Sequence, residues 1–465
     1  MSMDRRATLR SGVSATLWAT FAGRGFAQPE PARLSSDGFR LFDAGPAHAQ
    51  ILAPPAPATD ALGFQGVTPG PLLRWRKGEE VKVRLNNRLA EPTTLSWPGL
   101  RIANAMAGIG GLTQPLVLPG ARFDYRFTPP DCGFNIYRPH AGAATAGQIG
   151  RGLYGPIVVE EAAPPTVDLE AIVALADWKL GADGRVQDDF ADPALAQGAG
   201  RLGPLIAANN GATPLTFNPS PGARVRLRLV NAALARMMLI GVEGAKPLII
   251  ALDGQPCEAF EPLRNAFPIG PGARFDMLFD MPREGTREGT FVRFILRGGP
   301  TAAMSEETDR PLIVFAATGD RAAQRPPLAG LEANPLLPAE IDLQRAKRID
   351  MTIAGGGGAP FSINGATPAA WPPKPLFSVA RGAPVTLGVV NNTATLQVLR
   401  LFGHVMRLLH AKDDGWEPYW RDSLMVAPGK TSHVAFVADN PGLWPIESAI
   451  PEHQAAGVAA TFAVG

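Results

Sequence analysis

From Gly78 to Asn87, Val81, Val83 and Leu85 alternate with charged residues and the run ends in an Asn pair. That pattern predicts a strand with one buried face followed by a turn. The same pattern recurs from Gly222 to Asn231, with Val225, Leu227 and Leu229 inward, and from Gly382 to Asn391, with Val385, Leu387 and Val389 inward. A Pro-Gly turn and another alternating strand follow some 30 to 40 residues after each copy: Pro119-Gly120 before Phe123, Tyr125 and Phe127; Pro271-Gly272 before Phe275, Met277 and Phe279; Pro428-Gly429 before Val434 and Phe436. The Gly anchors lie 144 and 160 residues apart, so the chain reads as three homologous β-domains. One-sided alternation predicts antiparallel sheets packed face to face as sandwiches. Composition breaks at Ala162-Ala163-Pro164-Pro165 and again from Thr318 to Arg348, where Pro326, Pro327 and Pro335 interrupt any strand. The expected layout is domains at 28–162, 163–317 and 349–465, with a linker at 318–348.

Composition agrees with an all-β reading. The chain has 465 residues, 46% hydrophobic and 18% charged, with 51 Gly and 46 Pro, which excludes disorder and favours many turns. The formal charge of +2 is uneven. Arg5, Arg6, Arg10 and Arg24 against Asp4 put +3 into the first 27 residues and leave −1 on the rest, which disfavours a nucleic-acid partner. No apolar run reaches the roughly 18 to 20 residues needed to span a bilayer, so no membrane span is expected in the mature chain. The order Arg5-Arg6-Ala7-Thr8-Leu9, a mildly apolar Val13–Ala22 segment, Arg24 and a small-residue end at Ala27 are similar to a twin-arginine export signal. The expectation is cleavage after Ala27 and a folded periplasmic product. Cys132 and Cys257 form no CxxC motif, and unpaired buried thiols are expected, though the residues leave their pairing open.

Several segments resemble the multicopper oxidases, a family of three cupredoxin domains, each a Greek-key β-sandwich. They are Glu91 through Leu100, Gly108 to Pro119, Phe127 to Asp131, Gly150 to Pro156, Asp253-Gly254-Gln255-Pro256, Gly403-His404, His410 to Asp414 and Asp439 to Gly442, in collinear order. The resemblance implies a mononuclear copper held by two His and a Cys thiolate, and a trinuclear cluster held by eight more His. The chain has six histidines in all, His48, His140, His404, His410, His433 and His453. Ten are required.

Motif by motif, the resemblance locates the losses. His-Trp-His is here Ser96-Trp97-Pro98, and His-x-His is Arg138-Pro139-His140. The third motif becomes Gln397, Arg400 and Phe402 before Gly403-His404, and His-Cys-His becomes Glu447-Ser448-Ala449, with His453 beyond it. Proline offers no side-chain donor, arginine stays protonated, and serine lacks the soft thiolate that an electron-entry copper needs. Only His140 and His453 remain, as vestigial candidates at different family sites. Arg138 and Arg400 are expected to pair with Glu447 or another carboxylate, and His404, His410 and His433 read as structural.

The expected protein is therefore a degenerate, copper-less member with no catalytic residues and no cofactor. It is similar to the periplasmic cell-division proteins of the FtsP (SufI) type, which implies a monomeric scaffold or stabiliser that contacts an envelope or divisome protein. Two alternatives stand beside it. One is an oxidoreductase of the multicopper oxidase class with a reduced or atypical copper site. The other is a periplasmic small-ligand binder using a cleft near Asp413, Asp414, Trp416 and Trp420.

Overall fold

The computed structural model describes residues 33–285, 289–298, 308–368, 370–410 and 415–465. The expected export signal at 1–27, and Asp413 and Asp414, lie outside them. The strands fall into three successive pairs of sheets. In the first pair, a four-stranded sheet orders Thr59–Phe64, Arg40–Ala49, Val81–Asn87 and Arg122–Phe127, facing a smaller sheet of Leu73–Arg76, Gly155–Glu160 and Gly133–Tyr137. The second pair is built around Arg224–Asn231 and Arg274–Asp280 in a seven-stranded sheet, opposite a five-stranded one. The third has two five-stranded sheets, one containing Ala383–Asn392 and Thr431–Ala438, the other Gln397–Leu401 and Gly442–Ser448.

Each predicted alternating strand carries its apolar set inward. Val225, Leu227 and Leu229 are fully buried, as are Val385 and Val389. Burying each such side chain contributes about 1.5–3 kcal/mol. The Asn closing each copy explains why the spacing repeats. Asn87, Asn231 and Asn391 are buried, and each Nδ2 donates to two carbonyls: Glu91 and Val117, Arg236 and Ile269, Thr395 and Val426. Each Oδ1 accepts the amide two residues on, from Leu89, Ala233 and Thr393. The Pro-Gly turn completes the corner, because the amides of Gly120, Gly272 and Gly429 donate to the carbonyls of those same three Asn. All three glycines have φ between +67° and +76°, which a side chain would oppose.

The sheets differ from expectation in being mixed. Arg40–Ala49, Leu169–Trp178 and Lys347–Gly356 each run parallel to the alternating strand of their own domain. Alternation reports which face is buried and carries no information on the neighbour's direction. Arg224, Arg226 and Arg228 add a second difference. They sit on the polar face of their strand yet are buried, held by Asp280, Asp276, Glu161 and Glu170. Cys132 and Cys257 are both free thiols, and burial pushes the Cys257 thiol up to about 12. No helix among the described residues is long and apolar enough to cross a membrane.

Candidate functional site

Ser96 and Arg138 form an antiparallel bridge in which the Ser96 amide and hydroxyl both donate to the Arg138 carbonyl, at 2.8 and 2.7 Å. Ser96 is thus consumed by the backbone, and Pro98 beside it is buried. Gly99 adopts φ +91°, and a Cβ there would lie 2.2 Å from Asn135 Oδ1 and 2.3 Å from Arg274 Nη2. The turn must be bare for these side chains to approach.

Beyond the strand Gly133–Tyr137, His140 Nε2 contacts Glu447 Oε1 at 2.8 Å, and its ring packs between Trp371 and Phe402. Of the expected partners for Arg138 and Arg400, Glu447 or another carboxylate, Glu447 is therefore taken by His140, and the carboxylate that meets Arg400 is Asp422. Glu447 stands opposite Arg400 in the ladder between Gln397–Leu401 and Gly442–Ser448, but its carboxylate turns to the first domain. Arg400 instead has one long contact, Nη1 to Asp422 Oδ2 at 3.4 Å. Arg138 has no side-chain hydrogen bond or ion pair among the described residues, so the expected carboxylate partner is missing there. Burial, with the neighbouring Arg400 next, pushes its guanidinium down to about 9.

Behind these groups lies a network in which Asp253 alone belonged to a segment singled out in the sequence, and no motif marked Arg274 or Asp422. Arg274 of the second domain donates to both Asp422 oxygens, at 3.0 and 2.8 Å, to Asn135 Oδ1 at 3.2 Å and to the Asp253 carbonyl at 2.7 Å. One guanidinium therefore joins all three domains. Asp253 Oδ2 accepts from the Ser423 hydroxyl at 2.6 Å and the Ser423 amide at 2.9 Å. Burial raises the Asp253 carboxyl, but Arg274, Ser423 and Arg400 outweigh it and hold it below the ordinary value. For Asp422 burial prevails over Arg274 and Arg400, and the carboxyl is raised.

The second ligand region is neutral in character. Gln397 Nε2 donates to the hydroxyls of Thr393 and Thr395, and its Oε1 is buried without a partner. Ser448 Oγ donates to the Val398 carbonyl and accepts from the Ile450 amide. His453, on the short helix Pro451–Ala455, meets the Gly198 carbonyl through Nε2 at 2.9 Å. A carbonyl only accepts, so Nε2 carries the proton and Nδ1 is a bare lone pair, buried and unpartnered. Burial lowers His453 to about 4 and raises adjacent Glu452 to about 7.

The donor set does not fit the family's copper ions. At the expected cluster positions Ser96, Pro98, Arg138, Arg400, Phe402, Glu447 and Ala449, two groups are cations and three have no coordinating side-chain atom, while His140 has committed Nε2 to Glu447. At Gln397 and Ser448 a carboxamide and a hydroxyl replace an imidazole and a thiolate. Among the described residues no group of three or more His, Cys, Asp or Glu could hold a metal ion. The expected cleft near Trp416 and Trp420 is not open at Trp420, which is 6% exposed beneath Arg407. His404 is buried against Phe436, Trp444 and Phe462, where it packs as a core side chain.

Three family models described as multicopper oxidase match residues 48–164, 172–304 and 340–465. The chain is 29% identical over 440 residues to the multicopper oxidase MmcO of Mycobacterium tuberculosis, covering 87% of this chain and 83% of that protein. It is also 29% identical over 310 residues to copper resistance protein A of Pseudomonas syringae, covering 55% of this chain and 50% of that one. The crystal structure of a multi-copper oxidase from Pseudomonas thermotolerans superimposes with a TM-score of 0.79 at 30% identity, over 91% of this chain and 98% of that one. Three cupredoxin-like sandwiches in order, a sequence match across each and a fold match over the whole place this chain in the multicopper oxidase family.

Proposed function

We propose that this family member works without the family's copper set, as an exported, non-catalytic scaffold that acts through contact with another envelope protein. One observation carries the reading: Arg138 and Arg400 stand where the family resemblance leads one to expect copper ligands, and a guanidinium protonated at neutral pH offers a metal no lone pair. The test is elemental mass spectrometry of the chain from Gln28 onward after copper loading and desalting, alongside oxidation of a phenolic substrate. Copper near zero and no turnover are expected. One or more tightly held coppers per chain with turnover would overturn the reading.

A second reading, an oxidoreductase with a reduced or atypical copper site, is favoured at the level of class by the relatives, which are named as multicopper oxidases, copper resistance proteins and laccases. The residue it would use is His453, whose Nδ1 is open. Copper retained by the wild type and lost in His453→Ala would support it.

A further inference from the structure

Around Arg138 and Arg400, charged hydrogen-bonding groups are buried with their valences open. The Arg400 side chain is 0% exposed, yet Nε and Nη2 have no partner, and Nη1 makes only the 3.4 Å contact with Asp422. Arg138 is 9% exposed, and its guanidinium makes no hydrogen bond or ion pair among the described residues. Each open charged donor in such a place carries the full cost of leaving water without a replacement partner.

The neighbouring carboxylates relieve the pair only in part, through the Arg400–Asp422 contact. Asp422 is engaged at both oxygens by Arg274, and Asp253 is held by Ser423, the Asp422 amide and Arg274. Glu447 has given Oε1 to His140 and keeps Oε2 open, and His140 keeps Nδ1 open. The unfilled set is therefore several guanidinium N–H donors with one carboxylate oxygen and one imidazole nitrogen beside them.

We propose that this group is a binding site for hydrogenphosphate. Two guanidiniums supply the charged donors that phosphate oxygens take best. The open Glu447 oxygen would repel a fully deprotonated oxyanion, but it can accept the P–OH hydrogen of hydrogenphosphate. Sulfate has no such hydrogen at neutral pH and leaves that carboxylate oxygen opposed by negative charge. The site thus inverts the sign of its family counterpart, with fixed cations in the protein and an anion as ligand. The inference rests on the copper-free reading above. The experiment separates the two by assaying metal content on the same chelator-treated sample before titration.

Isothermal titration of the chain from Gln28 onward with inorganic phosphate, at constant ionic strength, should show saturable one-to-one uptake. Sulfate should bind about tenfold or more weakly, as expected for an unmatched buried hydrogen-bonding group. Arg138→Gln should weaken phosphate by about tenfold or more, and Glu447→Gln should bring the phosphate and sulfate affinities close together. Arg400 is the more deeply buried of the pair, so Arg138→Gln is the variant that decides if Arg400→Gln does not fold. No saturable uptake, equal binding of the two anions by the wild type, or unchanged affinity in Arg138→Gln would each overturn the proposal. Copper found in the sample would instead defeat the copper-free reading.

Discussion

The two regions where the family resemblance leads one to expect copper are built in opposite ways. At the junction of the domains, Arg138, Arg400, His140 and Glu447 form a charged cluster backed by Arg274, Asp253 and Asp422. At Gln397, Ser448 and His453 the replacements are a carboxamide, a hydroxyl and an imidazole kept neutral by burial. The surroundings account for the difference. Asp253 and Asp422 are buried carboxylates that need positive charge nearby, and guanidiniums provide it permanently. Around His453 the neighbours are the Gly198 carbonyl, the Phe361 ring and Glu452, an acid that burial holds toward its neutral form more strongly than nearby Arg201 opposes it.

The largest effect should come from breaking the charged side of this contrast. Arg274→Met leaves Asp422 and Asp253 without their principal cation, and urea unfolding should show a loss of about 3–5 kcal/mol. A loss under about 1 kcal/mol would mean that Asp422 is already protonated and that the network is held by neutral hydrogen bonds.

On the neutral side, two adjacent residues should tilt the pH profile in opposite directions. Glu452 holds its proton more tightly in the folded state, up to about 7 from an ordinary 4.5, so its contribution is full below 4.5 and is lost as pH rises through 7. Glu452→Gln should remove that loss, worth up to about 3 kcal/mol between those limits. His453 is lowered from 6.5 to about 4, so stability is full above 6.5 and lost as pH falls through 4. His453→Gln should flatten the acid limb by a similar amount. Chemical denaturation across pH 4 to 8 checks both, and parallel profiles for wild type and variants would refute the assignment.

Smaller effects sharpen the role of burial. The His48–Asp60 pair at 3.2 Å is 71% and 76% exposed, against 7% and 3% for His140–Glu447. His48→Ala should therefore change stability by under about 1 kcal/mol. The smallest expected effect is none at all. Ser448→Cys restores the thiol but leaves Gln397 in place of an imidazole, so copper loading should give no intense visible band. A blue protein from that single change would show that the two regions are less different than their side chains imply.

Much of the fold was legible because it rests on local chemistry. The Gly-to-Asn spacing, the inward Val and Leu sets and the Pro-Gly turns predict three copies of one corner, and the three Asn side chains make the same bonds in each. Strand direction was not legible, since period two reads the same in either sense. The partners at the junction were equally hidden. Arg274 and Asp422 are 148 residues apart, and Glu447 could be placed beside an arginine on sequence grounds while the fold gives it to His140, 307 residues away. Trp371, which covers His140 and donates to the Gly110 carbonyl, had no motif to mark it.

The shortage of copper donors is a property of the chain before it folds: six histidines cannot fill ten positions in any conformation. The repeated corner is likewise written into residues within about 40 positions of one another, where turn geometry and hydrogen bonding act directly. Which charges meet, which nitrogens stay open and which acid is held neutral depend on how three sandwiches dock. Charge strength and burial are set by neighbours hundreds of residues away, and only packing brings those neighbours within reach.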